Sequence, residues 1–470
     1  MMLLVVRMSL LAGLVLAGCT ATDERVRPQP SPTPTYDVPI ALVTHLSHGD
    51  TDLTENQARD LLGGRLDDWS GLGQDAGPLD IVTAGVPEAS DALRTLNEPT
   101  TAVSAVEKDI GTLAVVPATA VTPRVHAVTV DGASPVTEPD DYPLTTPRRE
   151  PRGALVTTAI VGDIMLARRV GQLLARIDDP AAALRPMARH LAAADITVGN
   201  LESTLSKSGD PTQGGDSFGA DPSVLAGLRL AGFDVLSLAN NHVGDYGERA
   251  IGETAAQLAE SGFKAVGGGT NLARARGAVI LERSGVRIGF IATDSIGETP
   301  AATTDRPGTN RINAPPRTGP LDRGALARVS ADIRALDRKT DLVIVMSHWG
   351  AQYTNVPERS QRTMAKAFAE AGADLVVGGH PHWVQGWETV GDATVIHSLG
   401  NFVFDMDFMR ETQEGVMVEV TSWGDRILAI EPVPYVIGDD FAPRPASPRR
   451  AELIMEQIRS TSRPPYDSLR

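Results

Sequence analysis

Two histidines separated by one proline are the first residues in this sequence whose types and spacing suggest chemistry. The stretch GGHPHWVQG, residues 378–386, places His380 and His382 after the apolar run ADLVV. An extended segment would direct both imidazoles to the same side, where they could bind one metal ion. Histidine pairs of this spacing also arise by chance on surface loops, so this stretch alone leaves metal binding and an ordinary loop equally open.

Four further apolar runs end in residue types that ligate metals. They are ALVTTAIVGDIM with Asp163, ADITVGNLES with Asn200 and Glu202, FDVLSLANNHVGDYG with Asn240, Asn241 and His242, and DLVIVMSHWG with His348. Each side chain alone has a simpler explanation, as a helix cap, a turn residue, a strand-end charge or a packed histidine. Because all of them follow apolar runs, a shared structural explanation is disfavoured and a common site is predicted.

The elements that must position these residues alternate between strand and helix from residue 154 to about residue 440. Near-continuous apolar strands are separated by helical patterns such as GERAIGETAAQLAES. This pattern predicts an α/β fold with a sheet covered on both faces, whose functional groups gather at the carboxyl ends of the strands. Carboxylate, amide and imidazole ligands suit divalent ions such as Mn²⁺, Zn²⁺ or Fe²⁺.

Composition narrows the possible partners. The chain has 470 residues, of which 42% are hydrophobic and 22% charged, and no internal apolar run approaches the ~20 residues of a membrane-spanning helix. The formal net charge is −16 and no Lys/Arg block is visible, which argues against nucleic acid as a partner. An anionic polymer would have to be met by local metal ions or arginines.

The N-terminal stretch MMLLVVRMSLLAGLVLAGCT resembles a bacterial lipoprotein signal. It predicts a signal peptide over residues 1–18 and lipidation of Cys19, the only cysteine in the chain, which would anchor the protein to the outer face of a membrane. An ordinary signal peptide with a chance cysteine is the alternative. The proline-rich residues 19–37 predict an extended tether.

Residues 38–148 are predicted to form a small α/β lobe. The segments LTENQARDLLGGRLDDWSGLG, GTLAVVPATAVTPRVHAVTVDGASP and DYPLTTPRR resemble part of a phosphate-type periplasmic solute-binding protein. Only about one lobe's length is present, so an interaction or spacer domain is favoured over a two-lobed receptor. The main domain is predicted over 149–440, followed by a C-terminal tail with a short helix over 441–470.

Six motifs of the main domain, taken in order, resemble the CapA family of capsule-synthesis proteins. They are GDIM, GNLES, LANNHVGDYG, SHWG, GGHPHWVQG and HSLGNFVFD, spread over roughly residues 155–435. The family is named for poly-γ-glutamate capsule proteins and is related to calcineurin-like metallophosphoesterases. The resemblance implies a sandwich of two mixed sheets flanked by helices, with a two-metal centre at the strand ends.

The resemblance also implies a role for each motif residue. Asp163 and His382 would bind the first metal ion, Glu202 would bridge both ions, and Asn241, His348 and His380 would bind the second. His242 would be the catalytic residue that protonates or supports the leaving group. Two nearby metal ions can activate a water molecule while an imidazole serves the leaving oxygen.

Two departures from the phosphoesterase pattern affect the first metal ion. Asp163-Ile164-Met165 stands where those enzymes have Asp-x-His, and Glu202 stands where they usually have aspartate. The first ion should therefore bind more weakly or depend on substrate. Further residues could contact the ligands or the substrate: Asn200, Asn240, Asp245, Arg168, His397 and Asn401.

The function implied is that of a lipid-anchored, extracytoplasmic metalloprotein with two divalent ions, Mn, Fe or Zn. It would act with the capsule machinery in the synthesis, export or attachment of a poly-γ-glutamate-like or other anionic envelope polymer, by hydrolysis or transfer. A non-catalytic polymer-binding scaffold and a general periplasmic phosphoesterase are the alternatives. No nucleic-acid partner is expected.

Overall fold

The computed structural model of the protein describes residues 35–49 and 51–469. The predicted signal peptide, Cys19 and all but the last residues of the tether lie outside these described residues. Within the described ranges, no helix is both long enough and apolar enough to cross a bilayer.

The N-terminal lobe is a six-stranded mixed sheet with two short helices. Its strands are β1 (Tyr36–Thr44), β2 (Asp52–Leu53), β3 (Asp80–Thr83), β4 (Arg94–Thr95), β5 (Thr112–Pro117), β6 (His126–Ala127), β7 (Thr129–Val130) and β8 (Thr145–Arg148). Its helices are α1 (Glu55–Leu62) and α2 (Pro99–Val106). The sheet order is β4-β3-β5-β1-β6, with β8 also paired to β1, while β2 and β7 pair separately. Helix α1 begins at a capping box of Thr54 and Gln57, which satisfies backbone donors at its first turn.

The main domain contains the remaining strands and helices. Its strands are β9 (Leu155–Ile164), β10 (Ile196–Leu201), β11 (Val235–Ser237), β12 (Lys264–Val266), β13 (Gly268–Gly269), β14 (Val279–Arg283), β15 (Val286–Asp294), β16 (Gly308–Thr309), β17 (Leu342–His348), β18 (Leu375–Gly379), β19 (Val384–Val390), β20 (Ala393–Leu399), β21 (Asn401–Val403), β22 (Glu414–Trp423), β23 (Arg426–Ile437) and β24 (Pro443–Pro445). Its helices are α3 (Arg168–Ile177), α4 (Arg185–Leu191), α5 (Leu225–Leu230), α6 (Glu248–Glu260), α7 (Leu272–Arg276), α8 (Arg323–Asp337), α9 (Arg359–Ala369) and α10 (Pro448–Thr461).

Two mixed sheets face each other across an apolar core. The first runs β12-β11-β10-β9-β22-β23-β24, with β21 also paired to β9, and the second runs β14-β15-β17-β18-β20-β19. Successive residues of a strand point to opposite faces, so Ile160 lies in the core between the sheets while Ala159 and Val161 pack beneath the outer helices. Helices α8 and α9 cover the outer face of the second sheet. The predicted sandwich of two mixed sheets flanked by helices, preceded by a small α/β lobe, is confirmed.

The lobe packs against the end of the sandwich where β9 begins. Trp423, at the end of β22, is buried in a core shared with the lobe and donates from its indole nitrogen to the carbonyl of Val136 at 2.9 Å. Residues after 440 also join the main domain: β24 extends the first sheet, and Ile454 and Ile458 of α10 are buried in the core between the sheets. The segment 441–469, predicted as a C-terminal tail with a short helix, therefore packs against the main domain.

Candidate metal centre

Six side chains from both sheets converge at one rim of the sandwich, and together they are called the candidate centre. All six are at least 97% buried: Asp163, Glu202, Asn241, His348, His380 and His382. Parallel strands bring them there, because β9 and β10 end beside each other in the first sheet and β17 and β18 do so in the second. The carboxyl ends of parallel strands form one edge, which is where such sheets usually hold ligands.

The ligand atoms approach one another closely. The Nε2 atom of His348 lies 2.9 Å from Oδ1 of Asn241 and 3.6 Å from Oε1 of Glu202. On the other side of that ring, Nδ1 lies 3.9 Å from Oδ1 of Asp163, whose Oδ2 is 3.8 Å from Nδ1 of His382. The two distances at Nε2 of His348 are of the size that donor atoms around a shared cation show when each sits ~2.0–2.3 Å from it.

Two groups of possible ligands share Glu202. One group is Glu202, His380 and His382, and the other is Asp163, Glu202 and His348; in each, the ligand atoms lie within 4.8 Å of one another. Glu202 is therefore common to both groups, and the bridging role that the family resemblance implies stays a prediction. The groups pair Asp163 with His348 and His380 with His382, whereas the resemblance divides the same residues differently.

The buried polar atoms of the candidate centre fit a pair of cations. Among the described residues, both carboxylate oxygens of Glu202 and both ring nitrogens of His380 lack a hydrogen-bond partner. A buried polar group without a partner costs free energy, and a buried charge costs more, unless a ligand satisfies it. Carboxylate, imidazole and amide donors with no thiolate suit Mn²⁺, Fe²⁺ or Zn²⁺.

The backbone around the two histidines of GGHPHWVQG differs from the extended segment expected from the sequence. His380 has φ 91° and His382 has φ 59°, so both are in the left-handed region on either side of Pro381. The imidazoles are aimed inward by this bend. A Cβ atom at Gly379 would lie 2.5 Å from Oδ1 of Asp163, so glycine is needed where β18 passes this carboxylate.

Burial shifts the pKa values of the candidate ligands. Desolvation raises the pKa of both Asp163 and Glu202 to about 7, and at Asp163 the nearby Glu202 charge adds to the effect. Burial lowers the pKa of His348, lowers that of His382 to about 3 and lowers that of His380 well below its usual range. The imidazoles are therefore neutral at pH 7, as metal ligation requires.

Manganese affinity is expected to rise between about pH 6 and about pH 8, because protons on Asp163 and Glu202 compete with the metal below their pKa of about 7. His380 and His382 do not add to this dependence, since burial lowers the pKa of His382 to about 3 and that of His380 well below its usual range. Calorimetric titration with Mn²⁺ in buffers of different ionisation enthalpy would measure both the affinity and the protons released. Equal affinity and no proton release across the range would contradict the expectation.

His242 lies beside the candidate centre and is held on three sides. Its Nδ1 atom is 2.8 Å from Oδ2 of Asp245, its ring stacks on Phe218 at 3.6 Å between centroids, and its Nε2 atom is 3.9 Å from Oε1 of Glu202. Asp245 is itself fixed by the side chain of Gln213 and the backbone amide of Phe218. With Asp245 accepting from Nδ1, the imidazole directs Nε2 toward the centre.

Three asparagines that the sequence analysis selected support the candidate ligands through their side-chain amides. Asn200 donates to Oδ1 of Asp163 at 2.8 Å and accepts from Asn240 at 3.0 Å. The side-chain oxygen of Asn240 accepts the backbone amides of His242 and Val243, so Asn240 also shapes the turn that presents Asn241. The Oδ1 atom of Asn401 lies 2.8 Å from Nδ1 of His382. These contacts orient the candidate ligands in the way that outer hydrogen bonds orient ligands in metalloproteins.

Arg168 and His397 lie in different surroundings. The Arg168 guanidinium lies 4.5 Å from the centroid of the Phe218 ring and pairs with Asp405 and Asp216. The structure places His397 outside the candidate centre, where its Nε2 atom is 2.8 Å from Oε1 of Glu388. Arg362 and Arg463 also pair with Glu388, so this contact belongs to an ion cluster and differs from the predicted support of the ligands.

A cavity of about 440 Å³ opens next to the candidate centre. It is lined by Arg168, Arg169, Tyr353 and Phe408 among others, and the Tyr353 ring stacks on that of His382 with 6.0 Å between centroids. Phe408 is 58% exposed. The cavity combines guanidinium groups with aromatic walls directly beside a candidate ligand.

Several residues that shape this site were missed by sequence reasoning. Phe218 and Gln213 lie in a polar loop and carry no periodic signal. Asp294 does end an apolar run, GFIATD, so the strand-end criterion could have selected it. The structure uses Asp294 differently, since its carboxylate pairs with Arg311 and accepts from Thr309 at 2.8 Å.

Comparison with known proteins gives a family match over the main domain. Residues 157–406 match the family described as bacterial capsule synthesis protein PGA_cap. The capsule biosynthesis protein CapA of Bacillus anthracis is 30% identical over 297 residues, covering 62% of this chain and 70% of that protein. The PGA biosynthesis protein CapA of Bacillus subtilis is 30% identical over 271 residues, covering 56% of this chain and 67% of that protein.

Among solved structures, an ABC-type phosphate transport receptor from Vibrio cholerae is similar over 24% of this chain and 55% of its own, with 17% identity and a TM-score of 0.22. The resemblance of the N-terminal lobe to solute-binding proteins stays a prediction.

Proposed function

The chain belongs to the bacterial capsule synthesis protein family PGA_cap, and from this premise we propose that it is a two-metal hydrolase or transferase of a poly-γ-glutamate-like capsule or other anionic envelope polymer. It would act in the synthesis, export or attachment of that polymer, together with the capsule machinery. The names of the matching family and of the Bacillus subtilis relative support this choice of polymer.

One observation carries the proposal of metal chemistry: within the described residues, both carboxylate oxygens of Glu202 and both ring nitrogens of His380 have no hydrogen-bond partner, although they are buried among four further ligand-type side chains. If these residues served only the fold, their buried atoms would raise the free energy of the folded state, because hydrogen bonds normally satisfy such groups. Bound divalent ions would satisfy them, polarise the electrophilic centre of the substrate and lower the pKa of a coordinated water.

The chain's own residues divide the remaining work. Asp163, Glu202, Asn241, His348, His380 and His382 would hold the ions. The protonated ring of His242 would give a proton from Nε2 to the leaving oxygen or nitrogen, and Asp245, accepting from Nδ1–H, would hold that ring in the required orientation. The stacked Phe218 ring excludes water from one face of that imidazole.

The cavity lined by Arg168, Arg169 and Tyr353 is the proposed entry for an anionic polymer. The overall charge of −16 repels such a chain, so local cations must offset that repulsion. Both guanidiniums are paired in the structure, Arg168 with Asp216 at 3.0 Å and Arg169 with Asp407 at 2.8 Å. Substrate carboxylates would have to displace these exposed aspartates, which limits the expected affinity per contact.

We further propose a location outside the cytoplasm, with the protein anchored through lipidated Cys19. The lipoprotein-like residues 1–19 support this. Cys19→Ser should release the protein from the membrane fraction, and retention there would contradict the anchor.

The N-terminal lobe is proposed as the docking domain for a partner in the same assembly.

The test of function is turnover of γ-linked glutamate oligomers by purified protein with added Mn²⁺. We expect chain shortening or transfer that disappears on chelation and returns with the metal. Hydrolysis of a chromogenic phosphodiester without action on the oligomers would favour a general phosphoesterase. Binding of the oligomers with no turnover under any divalent metal would refute an enzymatic role and favour a scaffold.

A further inference from the structure

A loop outside the sequence motifs reaches the candidate centre from the side of the second sheet. Residues 295–318 connect β15 to the segment before α8, and the ion pair between Arg311 and the buried Asp294 holds the loop at its base. Farther along, the Thr299 hydroxyl accepts the backbone amide of Gly244 at 3.0 Å, which ties this loop to the turn carrying Asn241 and His242. This hydrogen bond holds the neighbouring residue Glu298 against the turn that carries Asn241 and His242.

Glu298 contacts one candidate ligand directly. Its Oε2 atom accepts a hydrogen bond from Nδ2 of Asn241 at 2.9 Å, and its Oε1 atom pairs with Arg317. The backbone at Glu298 has φ 67°, a left-handed conformation that residues with a Cβ atom seldom adopt. A strained backbone at such a position indicates that the surrounding contacts impose it.

This contact determines which end of the Asn241 carboxamide faces the candidate centre. A carboxamide has one end that donates and one that accepts, and only its oxygen can ligate a metal ion. An ionised carboxylate can only accept, so Glu298 holds the NH₂ end of Asn241, and Oδ1 must face His348, whose Nε2 atom is 2.9 Å away. Without Glu298 the amide could rotate and present NH₂ to the cation.

We propose that Glu298 is a positioning residue that fixes the carboxamide of Asn241 with its oxygen toward the candidate centre. The inference rests on the proposed function, because it takes Asn241 as a metal ligand. It adds a residue that none of the six motifs contains and that acts through another side chain without touching substrate or metal.

The test compares two substitutions by Mn²⁺ titration of the purified, metal-free protein. Glu298→Gly removes the acceptor and also suits φ 67°, so we expect affinity at one of two sites to fall ~10–100-fold while the unfolding temperature of the metal-free protein does not fall. Glu298→Gln keeps an acceptor for Asn241 and should stay within ~3-fold of wild type, even though it loses the charge that pairs with Arg317.

Asp178→Gly is the matched control, because Asp178 also has a positive φ, 52°, but ends α3 at a distance from Asn241. Its Mn²⁺ affinity should equal that of the wild type. Wild-type affinity in Glu298→Gly would overturn the inference, and so would a Glu298→Gln protein as weak as Glu298→Gly. A wild-type protein that binds no Mn²⁺ would instead refute the proposed function, so the two failures are distinguishable.

Discussion

Glu202→Gln is expected to remove Mn²⁺ binding at both positions and to abolish turnover. Glu202 is the one residue shared by both ligand groups, and its two oxygens are unpartnered within the described residues. Loss of a residue that merely supports a ligand typically costs ~10–100-fold in affinity or activity, so loss of a shared ligand should exceed the upper figure. Metal content after Mn²⁺ loading, together with turnover of the γ-glutamate oligomers, would measure both effects.

The same substitution should stabilise the metal-free protein at pH 8. Because the folded pKa of Glu202 is raised from 4.5 to about 7, its contribution to stability is present below pH 4.5 and is lost as the pH rises through 7. Glutamine carries no charge to desolvate, so metal-free Glu202→Gln should unfold at a higher temperature than the wild type at pH 8, with the difference shrinking toward pH 4.5.

Added Mn²⁺ should reverse that order of unfolding temperatures, since only the wild type gains about 2.7 kcal/mol per site at 100 times the Kd.

Glu388→Gln serves as the control variant. Glu388 is also a buried carboxylate but pairs with His397, Arg362 and Arg463. Its loss should lower stability by ~1–3 kcal/mol and leave Mn²⁺ binding intact. An equal Mn²⁺-induced rise in unfolding temperature for Glu202→Gln and wild type would refute the bridging role.

His242→Ala is expected to reduce turnover by ~10²–10⁴-fold with no loss of bound metal. His242 belongs to neither ligand group, yet its Nε2 atom points at Glu202 from 3.9 Å. The residue is therefore placed to move a proton at the reacting centre without holding an ion. Steady-state rates and metal analysis of the same preparation would separate the two functions.

Two further variants sharpen this test. Asp245→Asn should lower the rate less than His242→Ala and change its pH profile, because an amide oxygen can still accept from Nδ1 but carries no charge to stabilise the protonated ring. His190→Ala removes a partly exposed histidine that contacts Glu419 and should match the wild type. Loss of metal together with activity in His242→Ala would show that the imidazole acts as a ligand, contrary to its proposed role.

The convergence of six distant side chains could be anticipated because it depends on a general property of parallel strands. Asp163, Glu202, His348 and His380 each lie at or just after the carboxyl end of a strand, so their meeting follows once the strands are parallel and adjacent. The two-sheet sandwich followed from the family resemblance and is confirmed. The local conformation of His380 and His382 was not anticipated, because proline and two left-handed neighbours produce a bend that apolar periodicity does not encode.

Side chains that arrive from loops could not be anticipated. Phe218 and Glu298 meet His242 and Asn241 only because long loops fold back over the rim. His397 shows the opposite difficulty: it lies in a motif-bearing strand, β20, yet its side chain points into the Glu388 cluster. Since successive strand residues face opposite sides, a motif alone does not settle which of its members reach a site.

Strand β9 connects the end of the main domain that contacts the N-terminal lobe with the end that holds the candidate centre. Its first residue, Leu155, pairs with Trp423 beside the N-terminal lobe, and Asp163 lies eight residues farther on, roughly 26 Å away at ~3.3 Å per residue. A protein bound to the lobe would therefore leave the candidate centre, at the other end of β9, uncovered. Under the proposed function, a growing polymer could therefore pass the candidate centre while the N-terminal lobe stays bound to a partner protein.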